Sequence, residues 1–454
     1  MKILLKQFQN FFIILFFVAF AFTLIYGHNI NADEGVALNG AWNIYNGKTL
    51  YKDFFEYVGP LSFYLVYFTF LFFGPNYFSA LIPSIFLLLI SSYFIFKISY
   101  KIFHNRRDSL ISAYLWLLLS SISYPLINHN TYSSIMSIVF TYYFIKYLER
   151  EKEKNMLISG ALCSLIFFFL QTKGVAIFLA MLVFFAYLMY KKNISLKDTL
   201  YFMLGYALVF LLGFMLWGKN LFLPLFQIGQ GYSNIHTLGA GFFSIIILLF
   251  VFNTFLMRKK INNKILLLIF IQIALLFSIL NQFNPTHLVI NIFPYIILSI
   301  LTIKMLLEKY YGENQEILKK IIFLIVIIIS GYLTYLKNVE NRRDHKIYTQ
   351  EVEILKRIVG GEKIFSFPFI SNFYLELKKP NPYYNSVLLE NLNSDEHFKK
   401  NLAILKQENP KFILAQYNVV EQYRFTKNNM IDSYMREAYK KEYSLGALEI
   451  WVRK

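Results

Sequence analysis

The sequence predicts a mainly α-helical, polytopic membrane protein that ends in a small α/β unit. Three observations carry that expectation. The 454-residue chain is 57% hydrophobic and 16% charged, with a mean hydropathy of +0.46; soluble domains are roughly 45–50% apolar and about 25% charged. The charges gather in short clusters between long apolar runs, as bilayer-length helices joined by polar loops require. From residue 338 onward the composition becomes mixed polar, with short β-like and amphipathic stretches.

The net charge of +18 does not indicate nucleic acid, because the bases sit at the ends of apolar runs. Such clusters orient a membrane protein and meet anionic headgroups. The single cysteine, Cys163, lies within an apolar run, so no intrachain disulfide can form.

Spans are expected near 10–27, 77–102, 109–125, 131–148, 156–172, 174–190, 199–218, 241–257, 265–281, 287–306 and 321–337, about eleven helices of ordinary length. Ala19-Phe20-Ala21 resembles a signal-peptide cleavage site, but the apolar run continues through Tyr26. The run is therefore read as an uncleaved first helix. Leu61–Phe73 is short for a span and is bounded by Gly59-Pro60 and Gly74-Pro75, which suits an interfacial or re-entrant helix.

Charge sets the orientation. With Met1 cytoplasmic and 61–73 not crossing, Arg106-Arg107, Arg150/Lys152/Lys154, Lys191-Lys192, Arg258-Lys259-Lys260 and Lys319-Lys320 all fall inside. That places roughly 21 Lys/Arg inside against about 5 outside ahead of residue 338. The expected division is a membrane unit over 1–337, with a first external loop over 28–75, and an external soluble α/β domain over 338–454. In that domain "KIFSFP", "KFILAQ" and "ALEIWVRK" read as strands and "DEHFKKNLAILKQ" as an amphipathic helix.

This topology gathers the unusual residues on the outer face. Asp33, Glu34, Asp53 and Glu56 are the only carboxylates ahead of Asp108, and all four fall in the first loop. "INHN" (127–130, with His129), "QTKG" (171–174, with Lys173) and "NPTH" (284–287, with His287) are outer turns. Asp33 and Glu34 lie in the first turn of a predicted surface helix that Gly47 is placed to end. Acids suit a helix N-terminus, so a solvated acidic cap would explain them in isolation.

The wider pattern points further. Asp33-Glu34, followed by Gly47, Tyr51, Asp53 and Pro60, resembles the first external loop of GT-C membrane glycosyltransferases. The similarity is to the protein O-mannosyltransferase and lipid A aminoarabinose transferase group. "LFFGPNYFSALIPS" is similar to that group's continuation, although Ile82-Pro83 stand where an arginine is common there. "QTKG" resembles its Thr-Lys turn and "HLVINIFP" a later His-to-Pro segment. The resemblance covers roughly residues 10–300, with the loop its most specific part.

That resemblance implies an inverting transferase of the bacterial plasma membrane. It would use a polyprenyl-phosphate sugar donor and a lipid, glycan or protein acceptor on the extracytoplasmic side. Such a reaction needs a base for the acceptor hydroxyl and a cation for the departing phosphate. Asp33, supported by Glu34, is the expected base, or else a ligand for a divalent metal ion. Lys173 is expected to contact the phosphate; a lysine snorkelling at a helix end is its plain alternative. Tyr51 and Asp53 are expected to bind substrate. His287 would orient substrate or bind phosphate, or be an ordinary interfacial histidine, and His129 stands with Asn130 where related enzymes often keep an acid.

Two other classes compete: a transporter or flippase for lipid-linked glycans, and a glycan polymerase or ligase. Transporters more often show repeated halves and mid-membrane charges, and the sequence has neither. No phosphate-binding glycine loop, zinc spacing or Ser-His-Asp arrangement stands out. The topology has a direct check. Reporter fusions at Lys192 and Lys454 are expected to report opposite sides of the membrane; the same side at both would contradict the charge argument.

Overall fold

The computed structural model describes residues 32–454 apart from 124–126, 151, 223–236, 281–284, 312–314, 370, 391, 419 and 422–424. The predicted first helix over 10–27 lies outside the described residues.

The protein is mainly helical. In chain order the helices are α1 (Ala32–Tyr45), α2 (Leu61–Phe73), α3 (Tyr77–Phe103), α4 (Arg106–Ser123), α5 (His129–Arg150), α6 (Glu153–Phe169), α7 (Gln171–Tyr190) and α8 (Leu196–Trp217). They continue as α9 (Thr237–Leu256), α10 (Asn263–Phe277), α11 (Pro285–Val289), α12 (Phe293–Tyr311) and α13 (Gln315–Val359). Each predicted span from residue 77 onward overlaps one of them. By length and composition three of the described helices can cross a membrane: Tyr77–Phe103, Gln171–Tyr190 and Leu196–Phe222. α2, α10 and the stretch Ser244–Leu256 are apolar but shorter. α4 opens on Arg106, Arg107 and Asp108, and α5 carries Asn130, Thr131, Ser133, Ser134 and Ser137, which lowers their hydropathy. The five in α5 face inward and are all buried, whereas Arg106 and Arg107 are exposed.

Local sequence fixes the loop elements. Gly47, at φ +82°, ends α1 in the left-handed conformation that glycine adopts without penalty. α2 begins after Pro60 and stops at Gly74. Its 13 residues reach only about 20 Å at 1.5 Å per residue, short of a bilayer core. One side of α2 buries Phe63, Val66 and Phe70, while Phe68, Leu71, Phe72 and Phe73 point outward, as an interfacial helix does. α1 is packed within the protein. Val36, Leu38, Ala41 and Trp42 are all buried, because small residues let neighbours close in. A Cβ on Gly40 would meet the Phe63 ring at 2.3 Å, and one on Gly35 would touch Asn372 at 3.2 Å.

The central helices pack closely through glycine. A Cβ on Gly160 of α6 would meet the Phe202 carbonyl oxygen at 1.9 Å, and one on Gly205 of α8 would meet that of Leu157 at 2.0 Å. α6 and α7 are separated by Leu170 alone, in extended conformation. α5 has 22 residues, about 33 Å, and separates two polar clusters. Near its C-terminal end Glu149 pairs with Lys101 and with Lys264 (2.7 Å), and Lys304 approaches Asp108 at 3.7 Å. Its N-terminal end carries His129 and Asn130.

α13 runs 45 residues without interruption, so the change of composition at residue 338 falls inside a helix. Beyond it lies an α/β unit whose sheet has the order β1-β2-β4-β3, with β1 Ile364–Phe367, β2 Phe412–Ala415, β3 Tyr439–Leu445 and β4 Leu448–Arg453. β1 and β2 are parallel, and β4 pairs antiparallel with both β2 and β3. The three predicted strands are β1, β2 and β4, and the predicted amphipathic helix is Asp395–Glu408. β3, "YKKEYSL", went unpredicted because its middle residues are exposed and charged, as befits an edge strand.

The α/β unit packs against the first loop. Trp42 Nε1 donates to the Lys379 carbonyl (2.7 Å), Asn39 Nδ2 to Ser386 Oγ and Phe55 N to the Tyr384 carbonyl (2.6 Å). Gly160→Ala is expected to destabilise the protein by about 1–3 kcal/mol, since a backbone carbonyl occupies the space its methyl needs. Gly331→Ala, with nothing within 4 Å of the new Cβ, should not lower the melting temperature in detergent. Equal effects of the two substitutions would refute this account of the packing.

Candidate active site

The site is built where α5, α7 and the α11–α12 turn converge. Lys173 sits in the first turn of α7, directly after the Leu170 break. Gly174 packs so closely on Phe167 that a Cβ would meet its Cα at 2.3 Å, and this tight hairpin carries Lys173 inward. Its side chain is completely buried. The plain alternative, a lysine snorkelling outward from a helix end, is therefore not what the structure shows.

Lys173 Nζ donates to Ser134 Oγ at 2.7 Å and to the Asn130 carbonyl at 3.2 Å. Residues four apart on a helix share one face, and Asn130 and Ser134 are so spaced on α5. No described carboxylate lies within ion-pair distance of Lys173. Asn130 Nδ2 and His129 Nε2 are 3.0 Å apart, and His129 lies within electrostatic reach of both His287 and Lys173. Three basic residues thus share one region, with Lys173 buried and the two histidines half-buried.

The acids approach from α1. Glu34 is buried, and its Oε1 accepts the Ile127 amide at 3.1 Å. This bond ties α1 to the segment that opens α5, three residues from the Asn130 carbonyl that Lys173 holds. Tyr77 and Tyr132 both lie within electrostatic reach of Glu34. Asp33, half-buried beside it, has its pKa raised to about 6, first by burial and then by the charge of Glu34.

The remaining loop residues separate. Tyr51 is buried in the left-handed region at φ +67°, and its phenol lies beside Gln171 at the start of α7. Asp53 is exposed and serves its own turn: its Oδ2 accepts the Thr49 amide at 2.8 Å, and its own amide donates to the Thr49 carbonyl at 2.9 Å. The structure thus gathers His129, Lys173 and His287, ties Glu34 to the segment that opens α5, brings Tyr51 to Gln171 at the start of α7, and leaves Asp53 in the loop.

Sequence reasoning gave no role to Glu56, Ser134 or Asn291. Glu56 is buried and accepts a hydrogen bond from Ser386 Oγ of the α/β unit. Burial pushes its pKa up to about 8, and the Ser386 bond offsets part of that shift. The polar run "NHNTYSS" at the start of α5 was the available signal for Ser134.

Among the described residues no three His, Cys, Asp or Glu side chains converge as a metal site.

The sequence model of the dolichyl-phosphate-mannose-protein mannosyltransferase family matches residues 58–217. No curated protein matches in sequence. Among solved structures, ArnT from Cupriavidus metallidurans bound to undecaprenyl phosphate superposes with a TM-score of 0.63 at 10% identity, over 96% of this chain and 97% of that one. This chain has the fold of a GT-C glycosyltransferase. The same ArnT in its apo state gives 0.60 at 10% identity, over 98% of each chain. The Archaeoglobus fulgidus oligosaccharyltransferase, in complex with Zn and sulfate, gives 0.53 at 12% identity, over 94% of this chain and 69% of that one. The GT-C resemblance drawn from the first loop is borne out, and the likeness in fold reaches through the α/β unit.

Glu56 gives this interface a pH dependence. Its pKa is raised above the ordinary 4.5, so its contribution to stability is fully present below about pH 4.5 and is lost as pH rises through about 8. Glu56→Gln, which keeps the side chain neutral, is expected to melt with wild type near pH 5 and above it near pH 9. A constant difference at all pH values would refute the assignment.

Proposed function

We propose that this GT-C-fold protein is an integral-membrane glycosyltransferase moving a sugar, with inversion, from a polyprenyl phosphate to an acceptor hydroxyl on the extracytoplasmic side. The observation that carries the reading is the buried Lys173, without a carboxylate partner among the described residues. Burying a charge is costly unless it is paired, so Lys173 in its charged form calls for an anion from beyond the described residues. Its two hydrogen bonds leave one of three ammonium donors for a ligand. ArnT, which shares the fold, was crystallised with undecaprenyl phosphate.

In this reading Asp33 removes the acceptor hydroxyl proton as the acceptor oxygen attacks the anomeric carbon. The bond from that carbon to the phosphate oxygen breaks on the opposite face, and its electron pair leaves with the phosphate. In-line displacement of this kind inverts the anomeric centre. Lys173 meets the developing phosphate charge, and a fixed cation in a dry site is effective there. A pKa near 6 suits Asp33 to the role: it is ionised at neutral pH yet more basic than an ordinary carboxylate. Glu34 holds α1 against the start of α5. Tyr51 and the two histidines line the approach, and the α/β unit faces the extracytoplasmic space with the rest of the outer loops.

Incubating purified protein with lipid-phosphate sugars and candidate acceptors is expected to yield released lipid phosphate together with a new glycoside. Folded Asp33→Asn should lose at least about a hundredfold in rate, and wild-type activity should rise with pH through about 6 as Asp33 deprotonates. Full activity in that variant would remove Asp33 from the mechanism. Transport of the lipid-linked sugar without glycoside formation would favour a flippase instead.

A further inference from the structure

We infer that Ser134 and Asn291 are positioning residues that hold Lys173 in its phosphate-binding orientation; the inference rests on the reading of Lys173 given above. The geometry is a directed chain of hydrogen bonds from α7 through α5 to the α11–α12 turn. Lys173 Nζ donates to Ser134 Oγ at 2.7 Å. An ammonium has no acceptor capacity, so the Ser134 hydroxyl must pass its own proton onward. It does so to Asn291 Oδ1 at 3.1 Å.

Asn291 is in turn fixed so that its oxygen, not its nitrogen, faces Ser134. Its Nδ2 donates to the His287 carbonyl at 2.8 Å, its amide donates to the Leu288 carbonyl at 2.9 Å, and its own carbonyl accepts Gln272 Nε2 at 3.2 Å. Gln272 Oε1 accepts the Tyr295 amide at 3.1 Å. Ser134, Asn291 and Gln272 are all buried.

A buried polar chain of this kind gains from full satisfaction, and removing one member leaves others exposed to the desolvation penalty. Its sense matters. With Ser134 Oγ and the Asn130 carbonyl each taking one ammonium proton, the remaining proton is directed away from both. Asn291 sets that direction without touching Lys173.

The test measures binding of undecaprenyl phosphate and of undecaprenol to purified protein in detergent, alongside melting temperature. Wild type should bind the phosphate more tightly than the alcohol, and Lys173→Met should abolish the difference; failure of either would overturn the reading of Lys173 itself. Asn291→Leu should weaken undecaprenyl phosphate binding about fivefold and leave undecaprenol binding unchanged. In a Ser134→Ala background the same substitution should change phosphate binding less than about twofold, because the relay is already cut.

Should Asn291→Leu fail to fold, Ser134→Ala alone must show the same phosphate-specific loss. With the wild-type and Lys173→Met results as expected, wild-type phosphate affinity in Asn291→Leu would overturn the inference. So would equal losses for phosphate and alcohol, or an undiminished effect in the Ser134→Ala background.

Discussion

The arrangement turns on a buried lysine with no described carboxylate within ion-pair distance. Lys173 lies inside the protein with a serine hydroxyl and a backbone carbonyl as its partners, and neither neutralises it. Most of the local architecture serves to keep it there. The one-residue break at Leu170 sets α6 and α7 side by side, Gly174 lets them approach, and α5 presents Asn130 and Ser134 one turn apart. A lysine at a plain helix end would swing its head toward water along a flexible stem. This one is tethered inward.

The second organising contact is the seat of the C-terminal α/β unit on the first loop. Asn39, Trp42 and Phe55 of the loop all meet residues between Lys379 and Ser386, and Glu56 is buried under Ser386. α1, which carries Asp33 and Glu34, is thereby clamped between α2 and the α/β unit. A half-buried carboxylate on a clamped helix keeps its position during a reaction in a way that one on a solvated loop cannot, and orientation is a large share of catalytic power. The cost is a set of buried acids, and the raised pKa values of Asp33 and Glu56 are its signature.

Elements whose signals are local were legible in the sequence. Gly59-Pro60 and Gly74-Pro75 bracket α2 to the residue, Gly47 marks the end of α1, and three of the four C-terminal strands follow from apolar runs bounded by turn residues. Long-range facts were hidden. Glu56 and Ser386 are 330 residues apart, and Ser134 and Asn291 are 157 apart; no window of sequence relates them. Lys173 was recognised as a candidate, but its burial depends on the packing of α5 against α7. Asp53 fitted the loop pattern as well as Glu56 did, and only the fold separates an exposed turn carboxylate from a buried one. β3 was missed because an edge strand carries charge where a central strand carries apolar side chains.

The most direct test of the account is an experimental structure with a polyprenyl phosphate bound. The account predicts a phosphate oxygen within hydrogen-bond distance of Lys173 Nζ, about 3 Å, with Ser134 and Asn130 still holding the ammonium and Asp33 facing the opposite side of the anomeric position. A phosphate seated elsewhere, with Lys173 still enclosed by protein groups alone, would contradict it.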